Sequence, residues 1–191
     1  MNTFQSQQQQ SQRQDYSATI EQLLSKLVES LDQTPQSPSQ ILPQLHQQPR
    51  IIINGQPFGS RDQFQQLWST LPLSNHQISS CDIHFVPSDN QLNNNLNGQF
   101  LILAHLKVRF DESGKNKLGD TALLNISNSN SNPNSNSNFS SSTRAIWSHW
   151  YGVSLSCVID PSVINNFNTE CISTWDYRFT ENPTSSIFKV N

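Results

Sequence analysis

The chain has 191 residues, 34% of them hydrophobic and only 13% charged, with a formal net charge of −3. That composition supplies one modest core, sized for a single domain of about 140–150 folded residues. It disfavours nucleic-acid binding driven by the chain's own field, which needs clustered Lys and Arg, and no segment approaches the roughly 18 continuous apolar residues of a membrane span.

Residues 1–14 are rich in Gln and Ser and are expected to be disordered. Residues 15–191 are read as the folded domain. From Tyr16 onward, Ile20, Leu23, Leu24, Leu27, Val28 and Leu31 form one helical stripe, with Ser17 as candidate cap. Pro35 and Pro38 end it, and a short helical turn is expected before Leu42 and Leu45. Arg50-Ile51-Ile52-Ile53 precedes Asn54-Gly55, the signature of a strand entering a tight turn. Residues 62–68 read as a helix burying Phe64, Leu67, Trp68 and Leu71, stopped by Pro72.

A strand over residues 77–86 sets Cys81, Ile83 and Phe85 against Asp82 and His84, and an Asn-rich turn at 88–97 leads to a longer one. In that longer strand Phe100, Ile102, Ala104, Leu106, Val108 and Phe110 face the core. Leu101, Leu103, His105, Lys107 and Arg109 point the other way, a face that begins apolar and ends charged and so suits partial cover by something else. Residues 114–143 read as a polar loop insertion that becomes Ser/Asn repetition, with Leu118, Leu123, Leu124 and Ile126 available to dock its first part. Alternation returns at residues 147–160, with Tyr151, Val153, Leu155, Cys157 and Ile159 on one side. In the last strand, residues 170–180, Cys171, Ser173, Trp175, Tyr177 and Phe179 oppose Ile172, Thr174, Asp176 and Arg178. Helices first and strands later predict an α+β domain, its helices covering one face of a curved, mostly antiparallel sheet.

The five histidines form no close metal-binding spacing, and no nucleophile elbow or phosphate loop is present. Cys81, Cys157 and Cys171 lie in alternating apolar segments and read as buried thiols of a reducing compartment. Asp82 and His84, two apart on one strand face, are the one pair that acid–base chemistry would use; the plainer reading is a polar sheet surface facing a partner. Nothing else specifies a reaction, a metal or a cofactor. Two helices cannot cover both faces of the sheet, so Leu101, Leu103 and Ile172 need cover from a second protein, with Lys107, Arg109, Asp176 and Arg178 as polar orientation around it. Trp147 and Trp150 read as packing at the sheet edge or as a recognition element. Lys107, Arg109, Lys115 and Lys117 form a weak candidate RNA patch, offset by Asp111, Glu112 and Asp120.

Several ordered blocks carry a resemblance. They are Arg50-Ile51-Ile52-Ile53-Asn54 with Pro57-Phe58; Leu67-Trp68; Asp82 and His84 with Pro87; and Lys107-Val108-Arg109-Phe110-Asp111-Glu112-Ser113-Gly114. Trp147 near Tyr151-Gly152-Val153-Ser154-Leu155, then Val158-Ile159-Asp160, complete the set. Over residues 16–190 the chain resembles the small-subunit family of the fungal mRNA export receptor, within the nuclear-transport-factor-2-like class. The resemblance implies a cone-like α+β domain whose sheet packs on the related domain of a large receptor subunit. It further implies a non-catalytic role in the nucleus and at the nuclear pore complex, shuttling to the cytoplasm. The implied contacts are weak ones to Phe-Gly repeats of nucleoporins, to messenger ribonucleoprotein and to large ribosomal particles. The partner-binding residues expected on this basis are Leu101, Leu103, His105, Lys107, Arg109, Trp175, Asp176 and Arg178, with Lys115 and Lys117 as weak RNA contacts. The alternatives are a small-molecule isomerase or dehydratase of the same fold using Asp82 and His84, and a homodimeric adaptor.

Overall fold

The aliphatic stripe that begins at Ile20 winds onto one side of a long helix, α1 (Thr3–Asp32), and Ile20, Leu23, Leu24, Leu27 and Leu31 are all fully buried. The computed structural model describes residues 3–88, 98–121 and 146–181, with side chains from Tyr16 onward. Ser17 lies inside α1, not at its start. After a single 3-10 turn at Pro38–Gln40 come β1 (Leu45–Ile53), β2 (Gln56–Phe58) and α2 (Arg61–Thr70). The long strands β3 (Ser74–Pro87), β4 (Gly98–Phe110), β5 (Tyr151–Ile159) and β6 (Ile172–Glu181) complete the sheet.

The six strands lie in the order β2-β1-β6-β5-β4-β3, all neighbours antiparallel except β1 and β6. The expected α+β architecture is thus present, with a mixed sheet. Asn54 and Gly55 take φ of 51° and 77° in the two-residue turn between β1 and β2, where a left-handed backbone matches strand twist and Asn-Gly bears it at least cost. Asn54 also accepts from the Phe179 N–H at 3.0 Å, tying the turn to β6.

The helix α2 is started by Ser60, whose hydroxyl accepts from the Gln63 N–H while the Gln63 side chain accepts from the Ser60 N–H. Its buried face is Phe64, Gln65, Trp68 and Ser69. Leu67, expected inside, is 39% exposed, because the buried arc runs through Phe64, Gln65, Trp68 and Ser69 and leaves Leu67 just beyond its Phe64 edge.

The expected core face of β4 is buried throughout, and β5 alternates buried and half-buried along its whole length. In β6 the phase is broken: Val158 pairs with Thr174 but Ile159 pairs with Ile172, so a bulge at Ser173 rotates Ile172 into the core. Ile172 therefore needs no outside cover, contrary to the strict alternation assumed for that strand.

A polar network stitches the end of α1 to the sheet. The Leu31 carbonyl, one of those a helix end leaves unpaired, accepts from Trp68 Nε1 at 3.1 Å and from Ser74 Oγ at 3.0 Å. Asp32 meets the His76 ring, and His76 Nε2 lies 2.9 Å from the Tyr177 hydroxyl.

The polar insertion leaves and rejoins the sheet at one point. Asp111 Oδ1 accepts from the N–H groups of Ser113 and Ile146, both at 2.9 Å, and its other oxygen accepts from Ser113 Oγ at 2.8 Å. Asn116 and Lys117 are buried against the end of α2, with the Lys117 N–H donating to the Leu71 carbonyl. Leu118, expected to dock, is 40% exposed. The expected docking by Leu123, Leu124 and Ile126 and the reading of the Ser/Asn tract fall on residues outside those described.

Candidate functional site

Cross-strand register assembles one face of the sheet from residues distant in sequence. Asp82, Leu103, Ser156, Asp176 and Ile52 stand in one row across β3, β4, β5, β6 and β1. Ser80, His105, Ser154 and Arg178 form the next row, and His84, Leu101, Val158, Thr174 and Arg50 the one on the other side. The helices lie on the opposite face, where the buried residues of α1 and α2 join those of β4, β5 and β6. Leu103 is 42% exposed at the centre of the open face. Leu103 thus stands uncovered amid polar neighbours, on the face of the sheet that the helices leave open.

Of the expected partner-binding residues, Leu101, Leu103, His105, Lys107, Arg109, Asp176 and Arg178 share this face. Arg178 is held by Asp176 in a bidentate pair, Nε to Oδ1 at 2.8 Å and Nη2 to Oδ2 at 2.5 Å. The Arg178 side chain of that pair remains 53% exposed. Trp175 is not on the open face. It is fully buried beside Cys157 and Ile51, because its place in β6 alternates with Asp176. Its indole nitrogen has no hydrogen-bond partner among the described residues.

Lys115 is exposed, but Lys117 is 1% exposed and donates its Nζ hydrogen to Ser74 Oγ at 2.8 Å. Burial pushes its ammonium down to about 8, against the opposing pull of Asp32. Lys117 is a member of the α1–sheet network, not an RNA contact, and the sequence hid this because a buried lysine looks like any other loop lysine.

Asp82 and His84 are both exposed on β3, which forms one edge of the sheet. His84 lines a cavity of about 180 Å³ with Tyr16, Ser17, Ile83, Phe85 and Phe100, and Asp82 does not. The pair therefore lacks the shared enclosure that acid–base chemistry requires. Among the described residues no group of three or more His, Cys, Asp or Glu is placed to hold a metal ion. Burial pushes the Cys81 thiol to about 11 and the Cys171 thiol to about 12, and Cys157 higher still, so these thiols stay protonated and unreactive.

Sequence reasoning left Trp147 and Trp150 between two roles, and the geometry resolves their contact. Both indoles lie against the guanidinium of Arg109, with Cζ 4.9 Å and 4.8 Å from their ring centroids. Each keeps 37% of its surface exposed. The signal available in the sequence was position: Trp150 immediately precedes Tyr151, which pairs with Val108, so it continues the ladder opposite Arg109.

Comparison with known proteins points the same way. Residues 6–190 match the family described as "Nuclear pore RNA shuttling protein Mtr2". The mRNA transport regulator MTR2 of Candida albicans is 38% identical over 146 residues, covering 73% of this chain and 72% of the relative. Its Saccharomyces cerevisiae counterpart is 31% identical over 142 residues, covering 74% and 73%. The crystal structure of Candida albicans Mtr2 superposes with a TM-score of 0.66 at 29% identity, covering 87% of this chain and 96% of that one. A second crystal structure, the C. albicans Mtr2–Mex67 M domain complex, superposes with a TM-score of 0.65 at 31% identity, covering 87% and 97%.

Proposed function

Since the chain belongs to the Mtr2 family of nuclear pore RNA shuttling proteins, we propose that its open sheet face is the surface by which it joins the large subunit of the mRNA export receptor. The chain is a non-catalytic subunit of that receptor, it partners a Mex67-like large subunit, and it works in the nucleus and at the nuclear pore complex. The observation that carries the interface reading is the row Asp82, Leu103, Ser156, Asp176 and Ile52: five strands contribute to one face, with an exposed leucine at its centre and the Asp176–Arg178 pair beside it. Burying Leu101 and Leu103 supplies apolar area, while Lys107, Arg109, Asp176 and Arg178 set the orientation of the partner.

Transport by this heterodimer needs no chemical step. Weak contacts to Phe-Gly repeats release quickly, and several such sites on one complex supply avidity. Contact with messenger ribonucleoprotein and with large ribosomal particles is weak or partner-assisted on this chain's side, since its net charge is −3 and Lys117 is buried. Co-expression with the large subunit, followed by sizing and calorimetry, should give a stable one-to-one complex. Two proteins that elute separately and exchange no heat would reject the assignment.

A further inference from the structure

The Trp147–Arg109–Trp150 cluster sits at the charged end of the open face, on the same side of β4 as Leu101, Leu103, His105 and Lys107. Its backbone is fixed by hydrogen bonds on both flanks. The Ser148 N–H donates to the Phe110 carbonyl at 2.8 Å, the Phe110 N–H donates to Ser148 Oγ at 3.0 Å, and the Glu112 N–H donates to the Ile146 carbonyl at 2.7 Å. The two indoles therefore approach Arg109 from a braced segment.

Arg109 itself is short of partners. The ion pairs among the described residues join His46 to Asp160, Arg61 to Glu170, His76 to Asp32 and Arg178 to Asp176, and Arg109 is in none of them. Its Nε is buried without a hydrogen-bond partner. A half-buried guanidinium lying against two indoles has less freedom to lose on binding a planar anion than one free in water. Trp147, Trp150 and Ile146, the last 55% exposed, leave apolar surface close in sequence to that contact, of the kind enriched where a few residues dominate an interface.

We propose that Trp147, Arg109 and Trp150 form an anchor for a carboxylate side chain of the partner polypeptide, at the end of the sheet interface. This rests on the open face being the partner surface, with which the cluster is continuous along β4. A protein carboxylate is favoured over an RNA phosphate because the chain's net charge of −3 repels a polyanion at range, whereas one buried acid needs only the local guanidinium. That apolar surface likewise suits a protein partner.

Calorimetry of the intact chain against the related domain of the large subunit tests it with three variants. Arg109→Gln should weaken binding about 10- to 100-fold. Arg109→Lys, which keeps the charge and loses the flat fork, should recover only part of that. Leu103→Glu reports on the face as a whole. Replacing the partner's surface acids one at a time by their amides should then find one whose change costs the native chain about tenfold or more and costs Arg109→Gln nothing. If Arg109→Gln binds like the native chain while Leu103→Glu does not bind, the anchor is wrong and the interface stands. If both bind normally, both readings fall. If Arg109→Gln keeps its partner and loses affinity for a 15-residue oligouridine, the cluster reads phosphate and the carboxylate anchor is rejected. Where Arg109→Gln does not fold, Arg109→Lys together with the acid replacements against the native chain decides: no single partner acid costing tenfold overturns the proposal.

Discussion

Asp32, the last residue of α1, accepts from the His76 backbone N–H at 2.7 Å through one carboxylate oxygen and faces the His76 ring Nδ1 at 2.5 Å through the other. With Nδ1 set against Asp32, the other ring nitrogen, Nε2, lies 2.9 Å from the Tyr177 hydroxyl. Burial raises the Asp32 carboxyl, but the hydrogen bonds and charge of His76 outweigh it and hold the group below its ordinary 3.8. Burial and the Asp32 charge push the Tyr177 phenol up, so it remains a donor.

Asp32→Asn should lower unfolding stability by about 2 kcal/mol near neutral pH, since it weakens a charge-assisted bond and leaves the imidazole poorly matched. A depressed carboxyl stabilises the fold above its unfolded value and loses that contribution as pH falls through and below 3.8. Urea unfolding of both proteins at pH 7 and near pH 3 checks this: the gap should narrow in acid, and a gap that stays constant would refute the coupling.

Lys117 predicts a slope of the same sign at the alkaline end. Its folded value is about 8 against an ordinary 10.5, so between those values the unfolded chain holds a proton that the folded chain has released, and stability rises with pH. The whole effect is at most about 3 kcal/mol. The raised thiols of Cys81 and Cys171 act in the other direction above their ordinary 9.0, so the measurement is the difference between native chain and Lys117→Met. That difference should favour the variant most near pH 7 and shrink toward pH 10.5; a flat difference would show that Lys117 is not buried as a cation.

Leu103→Glu should abolish partner binding, with a loss of 100-fold or more on the order expected for a charge forced into an interface core. Because Leu103 is 42% exposed, the isolated chain should unfold within about 0.5 kcal/mol of the native one. Calorimetry and thermal melting together check both halves, and unchanged affinity would remove the open face as the docking surface.

Ser60→Ala removes the hydroxyl that accepts from the Gln63 N–H at the start of α2. The expected loss is about 1 kcal/mol, read by urea unfolding. No change would mean that the cap is replaced by solvent.

The strands and their faces were legible wherever alternation was unbroken: β4 reads correctly from Phe100 to Phe110, and the α1 stripe from Ile20 to Leu31. The Asn54-Gly55 turn was legible from its dihedral demand alone. Ile172 was misplaced because a bulge resets the period without leaving a mark in residue type. Leu67 was misplaced because α2 is short and amphipathic on a narrow arc that admits Gln65 and Ser69. Asp32, His76 and Tyr177 were invisible as a group, since 44 residues separate the first two and 101 the last two, and only pairing of the sheet brings them together. On the candidate site, the open face was readable, and so was the core side of Trp175 from its alternation with Asp176, which a partner-binding role overrode; Lys117 required the packing itself, since a lysine looks too polar to bury.

Asp111 gives the fold a clamp with a wider meaning. By gripping Ser113 on one side and Ile146 on the other, it makes the chain depart and return at one place, five residues before strand β5 begins at Tyr151. The sheet's order is thereby tied to the two anchored ends, and not to the residues that run between them.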